Sequence, residues 1–232
     1  EMVMEEEEGF LEEEFEEEEG DEEEDIDIEI EDCGVSYIND KPSAEEIAER
    51  QVNAILSAYN ISTPTDSELR LVQDLRAINA IGDESLGFRS NPIDGCLNYW
   101  SIQVFDFDKK TDLYKDMQQY KRMTGRDYVE LWISFPPDYP YSPPFARIIK
   151  PRFQSRTGHI TAGGALCMDI LTQDGWNPMY QVSNLISNIV AEIVDGNPRL
   201  DLQNADIPYP LSEANEGYQR MAATHGWKVA RW

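Results

Sequence analysis

The alternation of apolar and polar positions divides this chain into helical and extended stretches. Between residues 44 and 59 apolar side chains recur every three or four residues, and Ser43 and Glu46 have the spacing of a capping box at the start of this stretch. A second box, formed by Thr65 and Glu68, opens another apolar stripe of the same period. The pattern therefore predicts two consecutive helices.

Two later stretches alternate with the period of two that is typical of half-buried strands. Residues 97–107 and 128–135 each place their apolar side chains on one face, and residues 146–150 are a third candidate strand. The intervening residues 108–127 are polar, and they either form a turn of helix around residues 113–120 or extend the hairpin. Because these strands follow one another, with helices before and after them, the order favours an α+β layer over a doubly wound sheet.

The remaining pattern predicts one loop and two more helices. Residues 135–144 include five prolines, which exclude a helix or a central strand and predict a rigid surface loop. Residues 182–193 are strongly apolar at helical spacing and are predicted to form the central buried helix, ending at the Asp-Gly-Asn-Pro sequence of residues 195–198. A last helix is predicted around residues 212–224.

Charge changes this picture mainly at the N-terminus. The chain has a net charge of −27, and residues 1–32 hold 21 of its 46 acidic residues and no Lys or Arg. The remaining residues have 25 acidic and 19 basic side chains, a net charge of −6. Like-charge repulsion predicts that residues 1–40 form a disordered tail or linker; the alternative is an acidic segment that docks on a basic partner. Because clustered Lys and Arg are missing, no nucleic-acid partner is expected.

The number and spacing of the cysteines and the hydropathy of the chain predict its cellular compartment. The three cysteines, Cys33, Cys96 and Cys167, have neither a disulfide nor a metal-ligand spacing, so we expect reduced thiols, no metal and an intracellular protein, cytoplasmic or nuclear. No apolar run approaches the roughly 18 residues that cross a bilayer, so no membrane association is expected. The chain begins with glutamate, and it is either an excised segment of a longer protein or starts near a true N-terminus.

Cys167 is the strongest candidate for chemistry. It follows Gly163 and Gly164, which we expect to leave its sulfur uncrowded, and it precedes apolar residues that can anchor the loop. The alternative is a small buried hydrophobe among apolar neighbours. Cys–His hydrolysis requires a histidine base, and His159 lies eight positions earlier on the same loop. Without a glycine-rich phosphate loop, thiol acyl-carrier chemistry or simple packing remains.

The order of these parts resembles the ubiquitin-conjugating enzyme family over about residues 65–227. The resemblance rests on the Phe-Pro-Pro-Asp-Tyr-Pro-Tyr-Ser-Pro-Pro loop at residues 135–144, on Cys-Met-Asp-Ile-Leu at residues 167–171 and on the Trp-Asn-Pro sequence that begins at Trp176. The Gly-Gly-Ala-Leu-Cys-Met segment and residues 218–227 are most similar to the Q-type subfamily.

This resemblance implies the architecture of the chain. We expect an α+β ubiquitin-conjugating domain at residues 65–230, with a four-stranded antiparallel sheet and flanking helices. It would follow an N-terminal helical extension at residues 41–64 and the acidic tail at residues 1–40.

The resemblance also implies a reaction. Cys167, as a thiolate, would accept the ubiquitin C-terminus from the thioester of the activating enzyme and pass it to an acceptor amine or a ligase cysteine. ATP is consumed upstream, so no cofactor is expected. Asp169 matches a family acid that orients the amine, or else it caps the adjoining backbone. Asp201 falls near a family acid at the gate of the site. The alternative function is a weakly active or inactive module that binds ubiquitin or a ligase.

The chain departs from the family at one place. Thr157, Gly158 and His159 stand where most members have a His-Pro-Asn triplet, which Q-type members also lack. We expect His159 to take the asparagine's place, either by donating a hydrogen bond to the oxyanion or by structuring the loop. An ordinary surface histidine is the alternative.

Partner surfaces follow from the same resemblance. The family contacts ligases through an aromatic residue of the Pro-rich loop and through the residues after the tryptophan, which here are Tyr141, Pro178 and Met179. Ordinary packing of two neighbouring loops is the alternative. Arg70 and Arg76, on the polar side of the second predicted helix, either are solvated or contact the activating enzyme. The expected partners are therefore ubiquitin, its activating enzyme and a ligase.

Overall fold

Two capping boxes open the first helices of the structure, a computed structural model that describes residues 43–228. The Ser43 hydroxyl accepts a hydrogen bond from the backbone N–H of Glu46, whose carboxylate accepts one from the N–H of Ser43 in return. Thr65 and Glu68 make the same exchange. The two predicted helices are present as α1 (Ala44–Ala58) and α2 (Asp66–Ile81), followed by a single helical turn, α3 (Asp83–Leu86). The predicted acidic tail lies outside the described residues.

The sheet has four antiparallel strands, as the resemblance implied, and their order in space is their order along the chain. They are β1 (Phe88–Ile93), β2 (Cys96–Val104), β3 (Val129–Ser134) and β4 (Phe145–Lys150). The residue pattern alone did not predict β1, which contains Arg89, Asn91 and Pro92. It pairs only with β2, and such an edge strand tolerates proline.

A two-residue turn of Asp94 and Gly95 joins β1 to β2. Both residues have positive φ, 51° and 72°, as a type I′ hairpin turn requires.

One face of the sheet forms the core. Trp100 and Ile102 of β2 and Leu131 and Ile133 of β3 are fully buried, whereas Tyr99 on the opposite face of β2 is 51% exposed. The predicted alternation is thus confirmed. The buried face packs together with α2 and with α5 (Val182–Asp195), which is the central buried helix that its apolar pattern predicted.

The polar stretch between β2 and β3 folds as a helix, α4 (Asp112–Thr124). The Thr111 hydroxyl accepts a hydrogen bond from the N–H of Tyr114 at its start, and Gly125 ends it in the left-handed conformation. The helical alternative is therefore correct and the extended hairpin is not. After a 3₁₀ turn at Asp169–Leu171, α5 and the final helix α6 (Leu211–His225) complete the described chain. None of the helices in residues 43–228 is long and apolar enough to cross a membrane.

Candidate active site

The loop that carries Cys167 is fastened to the edge of the sheet. It follows β4, turns back, and hydrogen bonds to that strand through its backbone. The N–H of Ile148 donates to the carbonyl of Gly164 at 2.7 Å, and the N–H of Leu166 donates to that of Ala146 at 3.2 Å. Because β4 would otherwise be a free edge, this pairing fixes the loop and places Cys167 just beyond the paired segment.

The two glycines before the cysteine are required by neighbours that press against them. A Cβ at Gly163 would overlap the backbone carbonyl of Glu213 in α6, and a Cβ at Gly164, where φ is +89°, would lie 2.6 Å from the Tyr209 ring. These contacts are a role that the sequence-based explanation did not include; that the glycines also leave the sulfur uncrowded stays a prediction. They allow α6 and its preceding segment to pack directly on the cysteine loop.

Cys167 itself is half-buried between apolar residues and an open cavity. Leu166 and Met168 on either side are buried and anchor the loop, while the thiol side chain packs at the margin of the small cluster formed by α6 and Phe145. Burial raises the pKa of the Cys167 thiol, and the nearby carboxylates of Asp169 and Glu192 raise it further. The thiolate is therefore a minor species at neutral pH.

His159 lies against the same loop. Its backbone carbonyl accepts a 2.8 Å hydrogen bond from the N–H of Cys167, and its own φ is +55°. The side chain is exposed, and a Cβ at Gly196 would lie only 2.8 Å from its ring carbon Cδ2. His159 and Cys167 both line a cavity of about 620 Å³ that also reaches Arg156 and Met221. The structure thus brings the predicted histidine and cysteine together.

Glu192 is a site residue that sequence reasoning missed. It is half-buried on α5, and its pKa is raised, mainly by burial. Nearby His159 opposes this shift, whereas the Asp169 carboxylate adds to it. Its charge thus interacts with both predicted neighbours of the thiol. The one available signal was an acidic residue within an otherwise strongly apolar helical stretch, which the core pattern concealed.

The two predicted aspartates fare differently. Asp169 is exposed, begins the 3₁₀ turn and lies close enough to raise the pKa of Cys167. The Asp201 carboxylate instead accepts a 2.9 Å hydrogen bond from Asn204, and its backbone N–H donates to the carbonyl of Arg152. Asp201 is not among the residues that line the cavity beside Cys167. A gate role for it stays a prediction.

Two of the three predicted ligase-contact residues are exposed, and all three lie on two loops that are hydrogen bonded to each other. Tyr141 is 72% exposed and Met179 is 81% exposed, whereas Pro178 is half-buried. The Trp176 indole N–H donates a 2.6 Å hydrogen bond to the carbonyl of Pro140 and so links the Pro-rich loop to the loop at residues 177–181.

Arg70 makes intramolecular contacts rather than being simply solvated. Its guanidinium donates to the Asp74 carboxylate at 2.9 Å and to the backbone carbonyls of Pro178 and Tyr180 at 3.2 and 2.5 Å. It therefore holds the loop that carries Met179. Arg76, one and a half turns later, faces a groove between α1 and α2. Contact of either arginine with an activating enzyme stays a prediction.

Within the described chain, no three His, Cys, Asp or Glu side chains converge as metal ligands would. The Cys167 thiol and the His159 imidazole line one cavity, and the carboxylates of Asp169 and Glu192 lie near enough to raise the pKa of the thiol. Such a set can form and break an acyl–sulfur bond and can accept a proton from an attacking nucleophile.

Comparison with known proteins identifies the family. The model of the ubiquitin-conjugating enzyme family matches residues 70–225. Human ubiquitin-conjugating enzyme E2 Q1 is 30% identical over 162 residues, which are 68% of this chain and 38% of that protein. A shorter human relative, the Q-like protein 1 of the same enzyme family, is 30% identical over 140 residues, 58% of this chain and 83% of that protein. Among solved structures, human E2 G1 is similar over 58% of this chain and 99% of its own, with 22% identity and a TM-score of 0.45.

The chain thus spans well under half the length of E2 Q1 but most of the Q-like protein. The family match covers α2 to α6 and includes Cys167, His159 and the Pro-rich loop. The chain belongs to the ubiquitin-conjugating enzyme family and is a member of its Q type.

Proposed function

We propose that this chain is an active ubiquitin carrier that uses Cys167 to hold the ubiquitin C-terminus as a thioester. The observation that carries the proposal is the position of the thiol. Cys167 is half-buried on a loop fastened by backbone hydrogen bonds, and it opens into a cavity that His159 also lines. A fixed thiol at an accessible cavity is what acyl transfer requires.

The reaction consists of two acyl transfers. The Cys167 thiolate attacks the thioester carbonyl of ubiquitin on the activating enzyme, so that a new carbon–sulfur bond forms and the activating enzyme's thiolate leaves. An acceptor amine then attacks the Cys167 thioester and forms an amide, the amine loses a proton, and the Cys167 thiolate leaves. When the acceptor is a ligase cysteine, the second step is another thiol exchange. Neither step needs a cofactor, because ATP is used when the activating enzyme is charged.

The electrostatics of the site suit a carrier. The pKa of the Cys167 thiol is raised by burial, then by Asp169 and Glu192. A thiol of higher pKa is a poorer leaving group, so its thioester is less prone to premature hydrolysis. The same carboxylates can attract and orient an incoming ammonium group and take its proton, which is the role we propose for Asp169.

The proposed partners are ubiquitin, the activating enzyme and a ligase. Tyr141 and Met179 offer exposed apolar side chains on two linked loops, and we propose that a ligase docks there. Arg70 would support this surface from behind, since it holds the carbonyls of Pro178 and Tyr180.

Thioester formation tests the proposal. The chain is incubated with activating enzyme, ATP and ubiquitin, and the products are separated on a non-reducing gel. We expect an adduct one ubiquitin larger that thiol reductant removes. It should be lost in Cys167→Ala and unchanged in Cys96→Ala, whose thiol is exposed on β2. No adduct with the unsubstituted chain would favour the alternative of an inactive binding module, whereas an undiminished adduct with Cys167→Ala would place the thioester on another cysteine.

A further inference from the structure

The helix α4 carries a buried carboxylate. Asp116 is only 5% exposed, although it lies on a helix whose neighbouring acid, Asp112, is in solvent. A buried carboxylate is costly unless it is paired and hydrogen bonded. The hydrogen-bond partners of Asp116 therefore show which part of the chain α4 holds in place.

All of those partners lie in the segment that follows α5. The Arg199 guanidinium donates to both carboxylate oxygens of Asp116, at 2.8 and 3.1 Å, and the backbone N–H of Leu200 donates to one of them at 3.0 Å. A two-pronged guanidinium contact together with a backbone contact defines both position and orientation. The helix therefore fixes residues 199–200, which are more than 80 positions away in sequence.

The fixed segment in turn holds the chain that leads to His159. The carbonyl of Arg199 accepts a hydrogen bond from the N–H of Gln154 at 2.8 Å, and the N–H of Arg199 donates to the Thr157 hydroxyl at 3.3 Å. At the other end of the segment, the N–H of Gly158 donates to the carbonyl of Gly196 at 2.9 Å, and Gly196 packs against the His159 ring. Both ends of the short run before His159 are thus bonded to residues 196–199.

We propose that Asp116 is a positioning residue for ubiquitin transfer, which acts through Arg199 and Leu200 to hold His159 beside the Cys167 thioester. This inference rests on the proposed function. Asp116 does not touch the reacting atoms; it holds the segment that holds the histidine.

The step that depends on this geometry is discharge rather than charging. A small displacement of His159 slows the attack of the acceptor on the Cys167 thioester, whereas Cys167 remains the thiol that is charged. For Asp116→Asn we expect thioester formation on Cys167 to be retained, and kcat for discharge to free lysine to fall about tenfold with an unchanged KM. Asp127→Asn is the control for the loss of an ion pair at α4, because this exposed carboxylate pairs with Lys121 of α4 and has no hydrogen bond or ion pair to residues 196–200.

A double substitution separates positioning from simple destabilisation. In a His159→Gly background, Asp116→Asn should cause no further loss of discharge rate, because the group it positions is gone. An equal loss in both backgrounds, or discharge of Asp116→Asn at the unsubstituted rate, overturns the proposal. If Asp116→Asn folds poorly, Arg199→Lys is used instead. The Arg199 side chain is 45% exposed, and lysine keeps its charge but cannot make the two-pronged contact with Asp116.

A measurement that needs no ubiquitin tests the positioning role of Asp116 independently of the proposed function. Backbone amide exchange of Gln154 and Gly158, whose N–H groups donate to the carbonyls of Arg199 and Gly196, should be about tenfold faster in Asp116→Asn than in the unsubstituted chain and in Asp127→Asn, because the segment of residues 196–200 is loosened. Unchanged exchange overturns the positioning role, whether or not Cys167 carries ubiquitin. A missing thioester in the unsubstituted chain would instead count against the proposed function.

Discussion

The backbone N–H of Cys167 donates a 2.8 Å hydrogen bond to the backbone carbonyl of His159. Any residue at position 159 supplies that carbonyl, so the contact explains the shape of the loop and not the need for an imidazole. His159 also has a φ of +55°, a left-handed conformation that asparagine and glycine adopt more readily than alanine. The role of the imidazole ring must therefore be tested with substitutions that preserve the left-handed backbone conformation at position 159.

Replacing His159 separates the ring from the backbone. We expect His159→Gly to charge with ubiquitin normally and to discharge to lysine about a hundredfold more slowly, the cost typical of losing one oxyanion donor. His159→Asn, which restores the residue found in most of the family, should retain most of the rate. Single-turnover discharge measures both. Discharge of His159→Gly at the unsubstituted rate would remove the ring from the mechanism.

The reactivity of Cys167 should depend on pH in a defined direction. Because burial and two carboxylates raise its pKa, alkylation by iodoacetamide should have its midpoint above that of an ordinary thiol, which is about 8.5. Glu192→Gln and Asp169→Asn each remove a negative neighbour, so the midpoint should fall, and more for Asp169→Asn. The rates are measured with Cys33 and Cys96 replaced by serine. Unmoved midpoints would mean that neither carboxylate faces the thiol.

Arg70 should contribute to stability through the loop it holds. Arg70→Ala removes hydrogen bonds to Pro178, Tyr180 and the buried Asp74, which leaves that carboxylate without its guanidinium partner. We expect a loss of about 2 kcal/mol in the free energy of unfolding. Urea denaturation measures it. Arg76→Ala is the control on the same helix, and an equal loss for both would contradict this role of Arg70.

The cysteine loop and α6 should separate when Gly163 gains a side chain. Because a Cβ at Gly163 would overlap the Glu213 carbonyl, we expect Gly163→Ala to cost about 1–3 kcal/mol of stability and to reduce thioester formation. Gly82→Ala, where nothing lies within 4 Å, should cost only the strain of its positive φ. Urea denaturation and the yield of thioester are measured for both variants. Gly82→Ala should leave the thioester yield unchanged, and an unchanged yield in Gly163→Ala as well would argue against close packing of α6 on the cysteine loop.

A ligase should recognise the exposed side chains of the two linked loops. Met179→Ala removes the most exposed of these apolar side chains, 81% exposed, without touching the hydrogen bonds around Trp176. We expect unstimulated discharge to be unchanged and ligase-stimulated discharge to fall about tenfold, as for an interface anchor. Discharge assays with a panel of RING-type and HECT-type ligases measure both. Stimulation that is unaffected for every responsive ligase would place the docking surface elsewhere.

Local signals in the sequence were sufficient for much of the fold. The box of Thr65 and Glu68 starts α2, and the alternation through Trp100 and Ile102 defines the buried face of the sheet, because both depend on residues close together in the chain. The first strand escaped prediction because Pro92 and its polar neighbours suit an edge that only the partner strand reveals. Likewise, α4 could not be separated from an extended hairpin by its polar pattern alone.

The candidate site divides in the same way. By itself, the sequence determined the thiol, the histidine eight positions before it and the family, since these lie in short motifs whose spacing is readable along the chain. Only the tertiary structure decided that Glu192 lies near enough to raise the pKa of this thiol, that α6 packs on Gly163 and that Asp116 binds Arg199. Such contacts join residues far apart in sequence, and no local periodicity encodes them, because they form only when separate elements pack together.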